Sequence, residues 1–146
     1  MATHSSPDLN TKAMPMGGYG NAAQVWGQVT PTSGAAASVY RPVRIPAGMT
    51  VTGVRVHNPD MDTGGTTFAI KAGYTPVNAS DGPAADDDYF SAAVTHLSAV
   101  GDNVYRFDPI KFEKDVYLDL TVTVAATTFA AGAITAIVTG EATGIK

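Results

Sequence analysis

The twenty-five residues from Val116 to Gly140, VYLDLTVTVAATTFAAGAITAIVTG, hold a single charge, Asp119. A run so apolar is a membrane span, a buried helix or sheet, and its period decides between them. Side chains alternate between the two faces of a strand. Val116, Leu118, Leu120, Val122 and Val124 share one phase, and Tyr117, Asp119, Thr121 and Thr123 share the other. A membrane helix needs about 20 mostly apolar residues and shows no such alternation. The threonines and valines also favour a pleated surface, because β-branching restricts χ1 in a helix. AATTFAAG then breaks the period and ends on Gly132, a turn residue, after which Ile134, Ala136 and Val138 resume it. The expectation is two strands joined as a hairpin, one face buried and the other lined by hydroxyls.

Similar short runs recur upstream. VWGQV (25–29) and VYRPVRI (39–45) read as strands, with Pro42 at an edge or a bulge because it cannot donate to a ladder. In MTVTGVRVH (49–57), Val51 falls out of phase with Val54 and Val56, which predicts a β-bulge near Gly53 and an outward Arg55. TTFAIKAGY (66–74) buries Phe68, Ile70 and Ala72, and a long polar loop follows from Thr75 to Asp88. In YFSAAVTHL (89–97), Tyr89, Phe90, Ala93, Val94 and Leu97 fit a helical face, while Phe90, Ala92 and Val94 fit a strand. The reading taken is a short helix capped by Asp86, with Asp87 and Asp88 at its positive end. VYRFD (104–108) and IKFEK (110–114) are further strands. Short strands spaced by turns, without βαβ alternation, predict an all-β antiparallel sandwich of jelly-roll or Greek-key type with at most one short helix.

Residues 1–24 have no period and are rich in Gly, Pro, Ser, Asn and Met, so they read as an extended arm ahead of a domain spanning 25–146. Met14, Met16 and Tyr19 are adaptable apolar groups suited to lying on another surface. The opening MATHSSPDLN has neither the basic start nor the apolar run of a signal peptide. The chain has 146 residues, enough for one domain with a core of its own, and no cysteine to form a disulfide or thiolate metal site. A net charge of −4 argues against nucleic acid, whose phosphates attract clustered Lys and Arg. A charged fraction of 15%, against a usual ~25%, leaves a surface of Thr, Ala, Gly and Ser, which suits a chain covered by neighbours in an assembly.

No motif supplies chemistry. GGYGNAA (17–23) matches a dinucleotide-binding pattern, but TKAMPM rather than a strand precedes it. DMDTGG (60–65) starts like a calcium loop, yet its twelfth position is Lys71 where a bidentate Glu is required, leaving only an irregular site at Asp60 or Asp62. Asp86, Asp87 and Asp88 cannot all face one cation and read as a solvated run. His4, His57 and His96 share no ligand spacing. Asn78-Ala79-Ser80 is a glycosylation sequon without a secretory signal beside it. No enzyme, cofactor, metal, membrane or small-molecule substrate is expected. Arg41, Arg44 and Arg55 are the candidates for an edge that meets a partner's acidic groups, against the plainer reading of three solvated charges. Trp26, Tyr40, Tyr74, Tyr89, Tyr105 and Tyr117 are the aromatics available for a glycan-binding platform, and only Tyr117 falls clearly on an outward phase.

A Gly/Met-rich opening, followed by RPVRIPAGMTVTGVRVHN and later by KFEKDVYLDLTVTVAATTFAAGAITAIVTGEATG, resembles the small jelly-roll decoration (cement) and related structural proteins of tailed-bacteriophage heads. The resemblance covers about the last hundred residues and rests on style and strand order. It implies a domain on the outside of an icosahedral shell, bound to the major capsid protein, often as a homotrimer, and bridging capsomers with help from terminal arms. The long acidic loop from Thr75 to Asp88 departs from that pattern. No residue role is carried over individually. A carbohydrate- or receptor-binding sandwich of a tail or fibre is the competing expectation.

Overall fold

In a computed structural model the described residues are 1–7, 9 and 22–144. Met14, Met16 and Tyr19 lie outside them. The described residues form ten strands and one 3-10 turn: β1 Thr3–Ser5, β2 Ala22–Val29, β3 Val39–Ile45, β4 Met49–Asn58, β5 Ala69–Pro76, β6 Asp86–Val94, β7 Gly101–Tyr105, β8 Ile110–Phe112, β9 Val116–Val124 and β10 Ile134–Ala142, with the turn at His96–Ser98.

The strands form two sheets. One has the order β1-β3-β9-β5-β6, and the other β2-β10-β4-β7 with β8 also on β4. Pairing is nested: β2 with β10, β3 with β9, β4 with β8 and β7, β5 with β6, all antiparallel. Such wiring is a long hairpin rolled up, the jelly-roll variant of the expected sandwich. Between the sheets lies one apolar core, in which Tyr40, Ile45, Val51, Phe68, Ile70, Leu118, Leu120, Ile134 and Val138 are buried. The inward phase of Val116 to Val122 is buried as its alternation predicts.

The bulge expected near Gly53 is present: Thr139 faces Gly53 and Gly140 faces Val51, so Thr52 is the extra residue. It brings Val51, Val54 and Val56 all inward. Pro42 likewise sits where the β3–β9 register shifts, which spares it a ladder bond. Three expectations are corrected. The segment 116–140 is not a hairpin, because β9 and β10 belong to different sheets and residues 125–133 cross between them. The short helix over 89–97 is absent; Asp86–Val94 is edge strand β6, with Phe90 buried and Ala92 and Ala93 exposed, and Asp86 to Asp88 open a strand rather than cap a helix. Within the stretch read as an arm, Thr3–Ser5 pairs in parallel with β3, and β2 starts at Ala22.

Candidate functional site

The described residues present broad surfaces and open depressions, one of them lined by Arg44, Asn78, Asp81, Lys114 and Asp115. The outer face of the first sheet is knitted by ion pairs. Asp119 lies on β9's outward phase yet is only 2% exposed. Arg41 on β3 donates from Nε to its Oδ1 at 2.8 Å and from Nη2 to its Oδ2 at 3.2 Å, and the Thr75 hydroxyl donates to Oδ2 at 2.9 Å. The Arg41 guanidinium also lies 5.0 Å from the Tyr117 ring centroid, so that ring is half-covered rather than an open platform. Further along β3, Arg44 pairs with Asp115, which also accepts the Ala47 N–H at 2.6 Å. Burial alone would raise the Asp115 carboxyl; the Arg44 and Ala47 donors outweigh it and leave the carboxyl below its usual range.

Arg55 stands on β4 in the other sheet and clasps Asp102 on β7. The structure thus gathers Arg41 and Arg44 on one strand, sets Arg55 on the opposite sheet, and gives each arginine a carboxylate of its own. Around Arg55 the registers lay out a cross-strand row: Trp26 on β2 faces Ile137 on β10, Ile137 faces Arg55, and Arg55 faces Val104 on β7. Trp26 is 50% exposed and Val104 67%. Gln28, Thr135, His57 and Asp102 form the next row. This second face is therefore poorer in charge and richer in apolar groups than the first. Val104 and Val100 were not singled out by sequence, since nothing in a short strand's alternation says which sheet face will lack a covering layer.

The acidic loops are engaged by backbone N–H groups and lysines. Among the described residues no group of three or more His, Asp or Glu is placed to hold a metal. Asp60 accepts the Asp62 N–H. Asp62 is buried, and its Oδ1 accepts the Thr128 N–H at 2.9 Å. That bond, with the Thr127 and Gly64 amides, holds its carboxyl below the ordinary value against the opposing effect of burial. The carboxylate is a loop clamp: through Oδ1 it ties 60–65 to 127–130, where Asp62 also bridges Phe129, while the buried Oδ2 makes no hydrogen bond among the described residues. Asp87 pairs with Lys71 and Asp88 is exposed.

The histidines are dispersed. His4 lies against Tyr40 with ring centroids 5.9 Å apart, His57 is exposed on β4, and His96 stacks on Tyr105 at 5.7 Å, where burial lowers its pKa. Tyr40, Tyr74 and Tyr105 are core residues, and burial pushes the hydroxyls of all three up. Tyr89 packs on Tyr74, Phe90 and Phe107. Trp26, Tyr40, Tyr74, Tyr89, Tyr105 and Tyr117 therefore do not assemble a glycan platform.

A two-sheet, largely antiparallel β-sandwich defines the class. No family model matches the chain, and no curated protein does. Two solved structures do. A chain of the capsid of Ralstonia phage GP4 superposes with a TM-score of 0.79 at 18% identity, over 99% of this chain and 100% of that one. A chain of the cyanophage Pam1 capsid asymmetric unit superposes with a TM-score of 0.67 at 23% identity, over 92% of this chain and 98% of that one. At these identities the likeness is one of fold.

Proposed function

We propose that this chain is a non-enzymatic structural protein of a tailed-bacteriophage virion. In this reading it binds the outer surface of the icosahedral shell as a homo-oligomer, a trimer on the resemblance, and stabilises the shell by bridging subunits of the major capsid protein. One observation carries the reading: the fold likeness to the chain from the Ralstonia phage GP4 capsid is complete on both sides, 99% of one chain and 100% of the other. A complete mutual match means a partner of similar size, a small sandwich that is a whole chain within a capsid structure.

The surfaces support the same reading. Flat faces of threonine, alanine and paired charges suit broad, shallow contacts. Contacts of this kind add through multivalency on a lattice even when each is weak, and whatever binds only the assembled shell stabilises it by mass action. The expected contact residues are Met14, Met16 and Tyr19 within the region 1–24, with Arg41, Arg44 and Arg55 on the sandwich.

The test uses shells from which this protein has been removed. Purified protein is added back, and bound copies and the temperature of shell disruption are measured. The proposal expects saturable binding to the outside and a higher disruption temperature, both weakened by alanine at Met14, Met16 and Tyr19. Shells whose occupancy and disruption temperature stay unchanged on addition would overturn it.

A further inference from the structure

An aspartyl side chain can be attacked by the amide nitrogen of the residue after it, and the ring that forms can reopen on either side. The step needs an amide N–H that is not held elsewhere, a small following residue and a carboxyl free to swing. Of the chain's aspartates only Asp81 precedes glycine, which leaves the backbone its widest freedom. Each of the other described aspartates lacks a requirement. The Met61 N–H after Asp60 is committed to the Leu97 carbonyl at 2.9 Å, and the Thr63 N–H after Asp62 to the Thr128 carbonyl at 3.1 Å. Asp108 precedes Pro109, which has no N–H. Asp86, Asp87, Asp88, Asp102, Asp115 and Asp119 are followed by bulkier residues within β6, β7 and β9. Asp81 instead lies in the connection between β5 and β6 with its side chain 63% exposed, and among the described residues no group accepts the Gly82 N–H.

We propose that Asp81–Gly82 is a site of spontaneous isoaspartate formation and that Lys114 is its brake. The Gly82 nitrogen bonds to Asp81 Cγ and gives up its proton, the bond from Cγ to one carboxyl oxygen breaks, and water leaves. Water then adds to one of the two carbonyls of the five-membered ring. Breaking the bond from nitrogen to Cγ restores aspartate. Breaking the bond from nitrogen to the backbone carbonyl carbon of Asp81 leaves the main chain running through Cβ and Cγ, one carbon longer, with that carbonyl freed as a carboxylate. No oxidant or second reagent is consumed, and the mass is unchanged. The Lys114 Nζ donates to Asp81 Oδ2 at 2.7 Å and holds the carboxyl in one orientation, so ring closure requires that pair to part. The longer backbone has little room. A Cβ at Gly82 would already collide with the Pro76 ring and lie 2.8 Å from the Asn78 carbonyl oxygen. The converted loop must therefore shift, and it walls the open depression shared with Arg44, Lys114 and Asp115. Ageing thus remodels this surface, and the chemistry does not depend on the capsid reading.

Wild type, Lys114→Ala and Asp81→Glu test the site and the brake together. The whole purified proteins are held folded at neutral pH for several weeks, with circular dichroism as the check on folding; an exposed ion pair contributes little to stability, so Lys114→Ala is expected to fold. Isoaspartate is located by peptide mass spectrometry with electron-transfer fragmentation and counted with an isoaspartyl methyltransferase and a labelled methyl donor. The expected result is isoaspartate at position 81 several-fold above that at any other aspartate, faster accumulation there in Lys114→Ala, and loss of the signal from that position in Asp81→Glu, whose longer side chain would have to close a six-membered ring. Isoaspartate no higher at position 81 than elsewhere would overturn the site, and equal rates in wild type and Lys114→Ala would overturn the brake.

Discussion

Asp119 is the residue whose environment departs most from its place in the alternation. Its phase puts it on an outward face, and the outward face there is roofed by Arg41, Thr75 and the neighbouring strands, leaving 2% of it exposed. A buried carboxylate stripped of its partner is expensive, and breaking a buried pair from one side costs on the order of 3–5 kcal/mol. Arg41→Ala is expected to lose about 3 kcal/mol in urea unfolding. Arg41→Met combined with Asp119→Leu is expected to recover most of that loss, because a well-packed apolar pair replaces a buried ion pair at little cost. Asp62 makes a pH prediction. Its folded-state carboxyl is depressed, so its contribution is present above the unfolded carboxylate range and disappears as pH falls through the folded value. Asp62→Asn should thus be less stable than wild type near pH 7, and the gap between their urea midpoints should close in acid. His96 works in the same direction at higher pH: its pKa is lowered by burial, so protonation below its ordinary value favours the unfolded chain.

At the scale of elements, the sequence revealed strands wherever one face was wholly apolar. Val116 to Val124 and Met49 to His57 were legible to within a residue, the latter down to its bulge, because a break in a period of two has one cheap structural cause; the buried phase of the former ends at Val122, and Val124 is exposed. β6 was not, for a physical reason. An edge strand carrying Ala92 and Ala93 outward and burying only Phe90 fully leaves a weak period of two, and the same apolar residues also satisfy i, i+3, i+4. β1 was invisible because three polar residues carry no pattern. It joins the sheet through the ladder to Val39–Arg41 and the His4–Tyr40 ring contact. Removal of Met1–Ser5 should therefore cost less than about 2 kcal/mol and leave a single cooperative transition in thermal unfolding, the range expected when a small peripheral contact set is lost.

For the whole molecule, the pairing partners were the part that could not be read. Alternation says that a strand has a buried face and is silent about which strand lies beside it, so the last two strands passed for a hairpin until the sheets showed them in opposite layers. The candidate site suffered the same limit: the sequence offered three arginines for one edge, while their division between two sheets and their intrachain carboxylates depend on long-range pairing. Nesting has a folding consequence. β10 lies between β2 and β4, so both lose a neighbour without it. A chain ending at Gly132 is expected to show no cooperative transition and no fixed near-ultraviolet dichroism. The complete chain should refold slowly, in about milliseconds to seconds, since contacts so distant along the chain must close costly loops before they stabilise anything.

Ala22 and Glu141 face each other at one end of the β2–β10 ladder. Tension applied through these two points would peel the strands apart rung by rung, each bond bearing the force alone. A load spread over the broad sides would instead meet every rung together. The brick is weak to tugging at its seam and strong to squeezing across its layers, so an attachment that must resist strain does better to grip the walls than to hang from that seam.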